Sequence, residues 1–107
     1  MDELQQKIAD ISRRYIQRTA GEIGGLRELI AKARSGNTSA LKDIEHLAHK
    51  IYGSGAMFGF EPVSEQAREL ELAARDVTDP QMLDKVAAHA DALEQRVRAA
   101  LDARGPQ

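Results

Sequence analysis

The residues best suited to chemistry lie in the stretch His46-Leu47-Ala48-His49-Lys50-Ile51-Tyr52-Gly53-Ser54-Gly55-Ala56-Met57-Phe58-Gly59-Phe60. An imidazole ring offers a nitrogen lone pair at neutral pH. That nitrogen can attack phosphorus and hold a phosphoryl group as a phosphoramidate. Leu41, Ile44, Ala48, Ile51, Gly55 and Phe58 recur at helical spacing and turn one face toward a core. At about 100° per residue, Lys42, His46, His49, Gly53 and Ala56 fall on the opposite, solvent-facing side. His49 is therefore exposed, and Gly53, one turn on, removes the side chain that would stand beside its ring. Negative charge gathers on the oxygens of a transferred phosphoryl group, so nearby cations or hydrogen-bond donors help. Lys50, Lys42, Tyr52 and Ser54 are the local candidates.

The elements that hold this stretch are helical. Leu4, Ile8, Ile11 and Tyr15 form a seam over residues 3–18, and Ile23, Leu26, Ile30 and Ala33 form a slightly rotated one over 20–34. Thr19-Ala20-Gly21-Glu22 has the form of a capping box, and Gly21, Gly24 and Gly25 weaken helix by up to about 1 kcal/mol each. The expectation is a joint near residues 19–21; one extended first helix whose front end overhangs the bundle is the alternative. Gly36 suits a helix end and Asn37, Thr38 or Ser39 the next cap. The helix bearing His49 then runs from about 38 to 58, with Gly59 as its terminator. Pro62 suits the first turn of the following helix, whose seam is Val63, Ala67, Leu70 and Ala74. Asp79-Pro80 opens a last helix with Leu83, Val86, Ala90, Leu93, Val97 and Leu101 inward, and residues from Arg104 onward fray. Short linkers and seams near 3.5 residues predict an all-α, antiparallel up-down four-helix bundle with an N-terminal helix extension or extra helix.

Composition narrows the function classes. The 107 residues, read as one domain over 1–107, carry 30% charged residues, 4% aromatics, no cysteine and a net charge of −2. No basic excess exists to neutralise phosphates, which argues against a general nucleic-acid binder. No apolar run approaches the roughly 20 residues that span a bilayer. The polar faces mix both charge signs, unlike a membrane-surface helix. The acidic start Met1-Asp2-Glu3-Leu4-Gln5 is unlike a signal peptide. The expectation is a cytoplasmic monomer.

Ala48-His49-Lys50-Ile51-Tyr52-Gly53-Ser54-Gly55-Ala56-Met57-Phe58-Gly59 resembles the signature of histidine-containing phosphotransfer (HPt) domains, roughly Ala-His-x-x-Lys-Gly-Ser/Ala-x-x-x-x-Gly. Leu70-Glu71 falls where the family has Leu followed by Glu or Gln, Tyr15 matches an aromatic, Leu26 an apolar seam position, and Gly36-Asn37 the usual Gly-Asp turn. The resemblance implies a four-helix bundle that passes phosphoryl groups between receiver-domain aspartates of two-component phosphorelays. His49 maps onto the phosphoacceptor, Gly53 onto the clearance glycine, Ser54 onto a small position and Gly59 onto the helix end. The partners implied are receiver domains of hybrid histidine kinases and response regulators. They bring the Mg²⁺ and most catalytic groups, so the chain itself is a carrier rather than an enzyme and needs no cofactor. One position departs: Tyr52 stands where the family has the lysine that steadies the phosphoryl oxygens.

Plainer readings compete at several of these positions. His46 is a rim contact or a solvated residue. A His46/His49 zinc pair lacks further ligands, and no metal site is expected. Gly55 lies on the seam and permits close packing. Met57 and Phe60 are docking-surface apolars or caps of the bundle end, and Glu71 is a solvated carboxylate unless it reaches the histidine. His46, Gly53, Ala56 and Met57 make up the expected docking surface. A second function class remains: a non-phosphorylated helical binding module that docks on and regulates a histidine kinase or receiver domain. A small-molecule phosphotransferase is disfavoured, since no nucleotide-binding glycine loop and no Asp/Asn pair for Mg²⁺ is present.

Overall fold

The Asp2 carboxylate accepts a hydrogen bond from the Gln5 N–H at 2.7 Å, and the Gln5 side chain accepts one from the Asp2 N–H. This reciprocal cap starts the first helix. A computed structural model describes residues 2–104. It contains α1 (Glu3–Ile23), α2 (Leu26–Arg34), α3 (Thr38–Gly55), α4 (Glu61–Arg75), a single 3₁₀ turn at Pro80–Met82, and α5 (Leu83–Arg104). All regular structure among the described residues is helical, as expected. Arg104 still belongs to α5; the expected fray at Gly105, Pro106 and Gln107 lies outside the described residues.

The joint in the N-terminal segment is not at residues 19–21. It is at Gly24 and Gly25, whose N–H groups reach back only three residues, to Gly21 and Glu22. Both glycines keep right-handed helical angles, so the joint is a tightened turn rather than a loop. Thr19 caps nothing. It is buried, and its hydroxyl donates to the Tyr15 carbonyl one turn back. A polar group in the core is satisfied this way without leaving the helix.

The front of α1 overhangs. Leu4, Ile8 and Ile11 are at least half exposed, so the seam drawn through them becomes core only at Tyr15 and Ile16. From there α1 and α2 pack on α5, α2 also on α3, α3 on α4 and α4 on α5. Ion pairs Arg27–Glu94 and Arg34–Asp84 show α2 and α5 running antiparallel. The seam residues Ile44, Ala48, Ile51, Val63, Ala67, Leu70, Val86, Leu93 and Val97 are all but sealed from water.

Two glycine-ended turns set the length of the elements. Gly36 (φ +97°) lets the Asn37 N–H reach the Lys32 carbonyl, and Asn37 then caps α3 by accepting from the Ser39 N–H at 3.0 Å. Gly59 (φ +89°) does the same at the other end of α3, with the Phe60 N–H on the Gly55 carbonyl at 2.8 Å. Regular helix stops at Gly55 rather than 58, and residues 56–59 form the closing turn. That turn folds Phe60 into the core beside Tyr15, so Phe60 is not a docking residue. Asp79 accepts from the Gln81 N–H at 2.8 Å, but the turn it caps is 3₁₀, and α5 begins after it.

α3 and α4 run antiparallel and very close. A Cβ on Gly55 would lie 3.1 Å from both the Ser64 N and its Cβ. The Ser64 hydroxyl donates to the Tyr52 carbonyl at 2.7 Å. Gly55→Ala is expected to lower stability: overpacking here costs about 1–3 kcal/mol, more than the ~0.5–1 kcal/mol that alanine adds in helix propensity. Urea unfolding checks this, alongside Ile16→Ala, expected to lose about 2–5 kcal/mol, and Ile8→Ala on the overhang, expected within ~0.5 kcal/mol of the parent.

Candidate functional site

Helical phase alone brings His49 to the surface: Ala48 before it is sealed in the core, and its own side chain is 67% exposed. What phase does not give is the orientation of the ring. His49 Nδ1 lies 2.7 Å from Glu71 Oε2, on the facing turn of α4. The Glu71 side chain is only 2% exposed. Its second oxygen, Oε1, accepts from Arg68 Nη1 at 3.1 Å, and Oε2 also accepts from Arg75 Nη2 at 2.9 Å. Arg75 reaches on to Glu45 on α3, with Nε at 3.4 Å from Oε2. No buried side-chain nitrogen or oxygen among the described residues lacks a hydrogen-bond partner.

Burial pushes the Glu71 carboxyl up, toward its neutral form. The hydrogen bonds from His49 and Arg68, and the attraction of both groups, outweigh that and hold it below its ordinary value. Glu71 is therefore a carboxylate, which only accepts hydrogen bonds. The proton between the two residues belongs to Nδ1, and in the neutral ring the lone pair is on Nε2. This is the same device by which a carboxylate fixes the tautomer of a histidine nucleophile's or metal ligand's ring.

The other predicted residues sort clearly. Gly53 faces open space, with nothing within 4 Å of where a Cβ would stand. His46, Ala56 and Met57 are exposed on the same side, Met57 at 78%. Tyr52 is exposed, and the Arg68 guanidinium lies over its ring, 5.1 Å from the centroid. Lys50 is not at the site: it pairs with Glu22 of α1. Lys42 is exposed two turns before His49, about 10 Å along the axis, and has no contact that brings it nearer. Ser54 turns toward α1. Its hydroxyl donates to the Lys50 carbonyl at 2.8 Å and accepts from the Tyr15 hydroxyl at 2.6 Å. Tyr15 in turn stacks on Phe58 at 4.4 Å. Glu71 is the clearest reversal, being buried rather than solvated. No group of three or more histidine, aspartate or glutamate side chains among the described residues could hold a metal ion.

His89, on α5, is a useful contrast. Its Nδ1 accepts from Gln66 Nε2 at 3.1 Å, the opposite role to that of His49 Nδ1.

Residues 2–103 match the family model described as Hpt domain. The chain belongs to the Hpt domain family. No curated protein and no solved structure matches it. Hpt domains are helical bundles that act as phosphocarrier modules rather than enzymes, and membership implies histidine phosphotransfer in phosphorelay signalling. Hpt domains interact with receiver domains of two-component systems. No helix of the described residues is long and apolar enough to cross a membrane.

Neither Arg68 nor Arg75 belongs to the His49 motif of this Hpt sequence. A signal was there: Arg68, Glu71 and Arg75 stand at i, i+3 and i+7, which stacks all three on one face of α4. The network has a consequence in acid. A carboxyl held below its ordinary value of 4.5 adds stability that is complete above that pH and is lost as pH falls through the folded value. The parent is expected to lose stability more steeply than Glu71→Gln on acidification below pH 4.5, measured by urea unfolding at stepped pH. Equal slopes would remove Glu71 as the source.

Proposed function

We propose that this Hpt domain carries a phosphoryl group on His49 Nε2 and exchanges it with the aspartates of receiver domains. One observation carries this reading: Glu71, buried and ionised, holds Nδ1–H of an otherwise exposed ring, which leaves the Nε2 lone pair available. A receiver bearing an aspartyl phosphate and its own Mg²⁺ docks over α3. Nε2 attacks the phosphorus, an N–P bond forms, the acyl P–O bond breaks, and the electron pair returns to the receiver's carboxylate. The ring gains a positive charge in that step, and Glu71 stands beside it as counter-charge. A second receiver reverses the chemistry. His46, Gly53, Ala56 and Met57 form the docking surface, the first and last as contacts and the two small residues as clearance. We assign residues 1–107 to a single such unit, acting as a monomer in the cytoplasm, where aspartyl phosphates derived from ATP are made.

The presence of Tyr52 in place of lysine favours the alternative, a binding module that regulates a kinase or receiver without taking phosphate. The two readings separate in one experiment. A receiver domain carrying labelled aspartyl phosphate is incubated with the parent and with His49→Gln. Acid-labile label on the parent and none on His49→Gln is the expected result. Label that survives the substitution rejects the site, and an unlabelled parent that still binds the receiver supports the binding module.

Gly53 gives a second test. Gly53→Gln has open space to enter, so its melting temperature is expected to equal or exceed the parent's. Transfer from the receiver is expected to slow by about tenfold or more, equivalent to ~1.4 kcal/mol of lost docking. A stable variant that transfers at the parent's rate would mean no partner passes over this position.

A further inference from the structure

We infer that Arg68, reaching over from α4, is the group that contacts the phosphoryl oxygens on His49 and takes the place of the lysine missing from position 52. The inference rests on the reading of His49 as phosphoacceptor and names the cation that reading lacks.

Four observations support it. Position 52 is one turn after His49 on α3, so a cation standing over it stands beside the imidazole. Arg68 fills that space: its guanidinium lies over the Tyr52 ring, 5.1 Å from the centroid. α3 and α4 run antiparallel, as the pairs Tyr52–Ser64, His49–Glu71 and Glu45–Arg75 together show, so moving one turn back along α4 from Glu71 moves one turn forward along α3 from His49. The same carboxylate holds both groups, with Oε2 on His49 Nδ1 at 2.7 Å and Oε1 on Arg68 Nη1 at 3.1 Å. Ring and guanidinium are thereby fixed relative to each other by one rigid, buried anchor.

Of the competing cations, Lys42 lies about 10 Å from His49 along the helix axis, and the other two are committed elsewhere. Lys50 pairs with Glu22 on α1, and Arg75 is spanned between Glu71 and Glu45. Arg68 gives one nitrogen to its ion pair with Glu71, and its side chain is 41% exposed, so the guanidinium remains accessible to an incoming phosphoryl group. A guanidinium offers five N–H donors in a geometry that suits phosphate oxygens. Tyr52 then has a positive role. Its ring face holds the guanidinium by cation–π attraction, where a lysine at 52 would repel it. During transfer the nucleophile stays Nε2 and the leaving group stays the donor's; Arg68 neutralises charge on the non-bridging oxygens and exchanges no proton.

The test loads the protein from phosphoramidate, a small donor that needs no docking surface, and separately from a phosphorylated receiver. Arg68→Gln is expected to load from phosphoramidate about 100-fold more slowly than the parent, the low end of the loss seen when one oxyanion donor is removed. Arg68→Gln combined with Tyr52→Lys is expected to recover most of the rate. Circular dichroism melting confirms that each variant folds. Parental loading by Arg68→Gln overturns the inference and leaves His49 untouched. So does a slow Arg68→Gln that Tyr52→Lys fails to rescue, since Arg68 would then act only by positioning Glu71. Slowing with the receiver alone assigns Arg68 to docking and also overturns it. Label on His49→Gln, or none on the parent, instead rejects the phosphoacceptor reading.

Discussion

Glu71 is a carboxylate withdrawn from water at the surface of α4, and removing a charge from water costs several kcal/mol unless partners replace the lost hydration. Here three side chains replace it: His49 from α3, and Arg68 and Arg75 from its own helix. Each is held in turn by the need to satisfy that carboxylate. The orientation of the imidazole, its tautomer and the positions of the two guanidinium groups all follow from one buried acid. A solvated glutamate at the same place would leave the ring free to rotate, because an exposed histidine on a helix has nothing else to fix it.

This anchor only works if α3 and α4 approach closely and in one register. Gly55 allows the approach, since a Cβ there would press to 3.1 Å on Ser64. The Ser64 hydroxyl on the Tyr52 carbonyl fixes the register within a turn of His49. At the other side of α3, the Tyr15 hydroxyl on Ser54 and the Tyr15–Phe58 stack tie the same helix to α1. The helix that bears His49 is therefore braced from two directions while its outer face stays bare. Three glycines of one short stretch divide the work: Gly53 leaves clearance outside, Gly55 allows contact inside, and Gly59 turns the chain so that Phe60 enters the core.

In the role proposed for Arg68, the site keeps its electrostatics with tyrosine rather than lysine at position 52, because another residue supplies the charge. A lysine there would be a local, flexible cation on the nucleophile's own helix. An arginine from the neighbouring helix, stacked on tyrosine and bonded to the acid under the histidine, is a cation whose place depends on tertiary packing. It also ties the charge balance of the site to the folding of α4: the same guanidinium that faces outward helps keep Glu71 ionised.

Much was legible in the sequence because helical phase is a one-dimensional signal. The inward seams of α3, α4 and α5, the turns at Gly36 and Gly59, the outward placement of His49 and Gly53, and the family itself followed from spacing and motif. The joint in the first segment did not, because glycines at 21, 24 and 25 and a capping-box pattern at 19–22 weigh about equally until Thr19 is known to be buried. Nor did the overhang, since Leu4, Ile8 and Ile11 keep the period of a seam that has no partner to cover it. Contacts between helices were the real limit. Lys50 and Arg68 are both simply cationic positions in the sequence. Only the packing of α1 draws Lys50 to Glu22, and only that of α4 sets Arg68 beside the histidine, because periodicity gives the direction a side chain leaves its own helix and carries nothing about what it meets on the next.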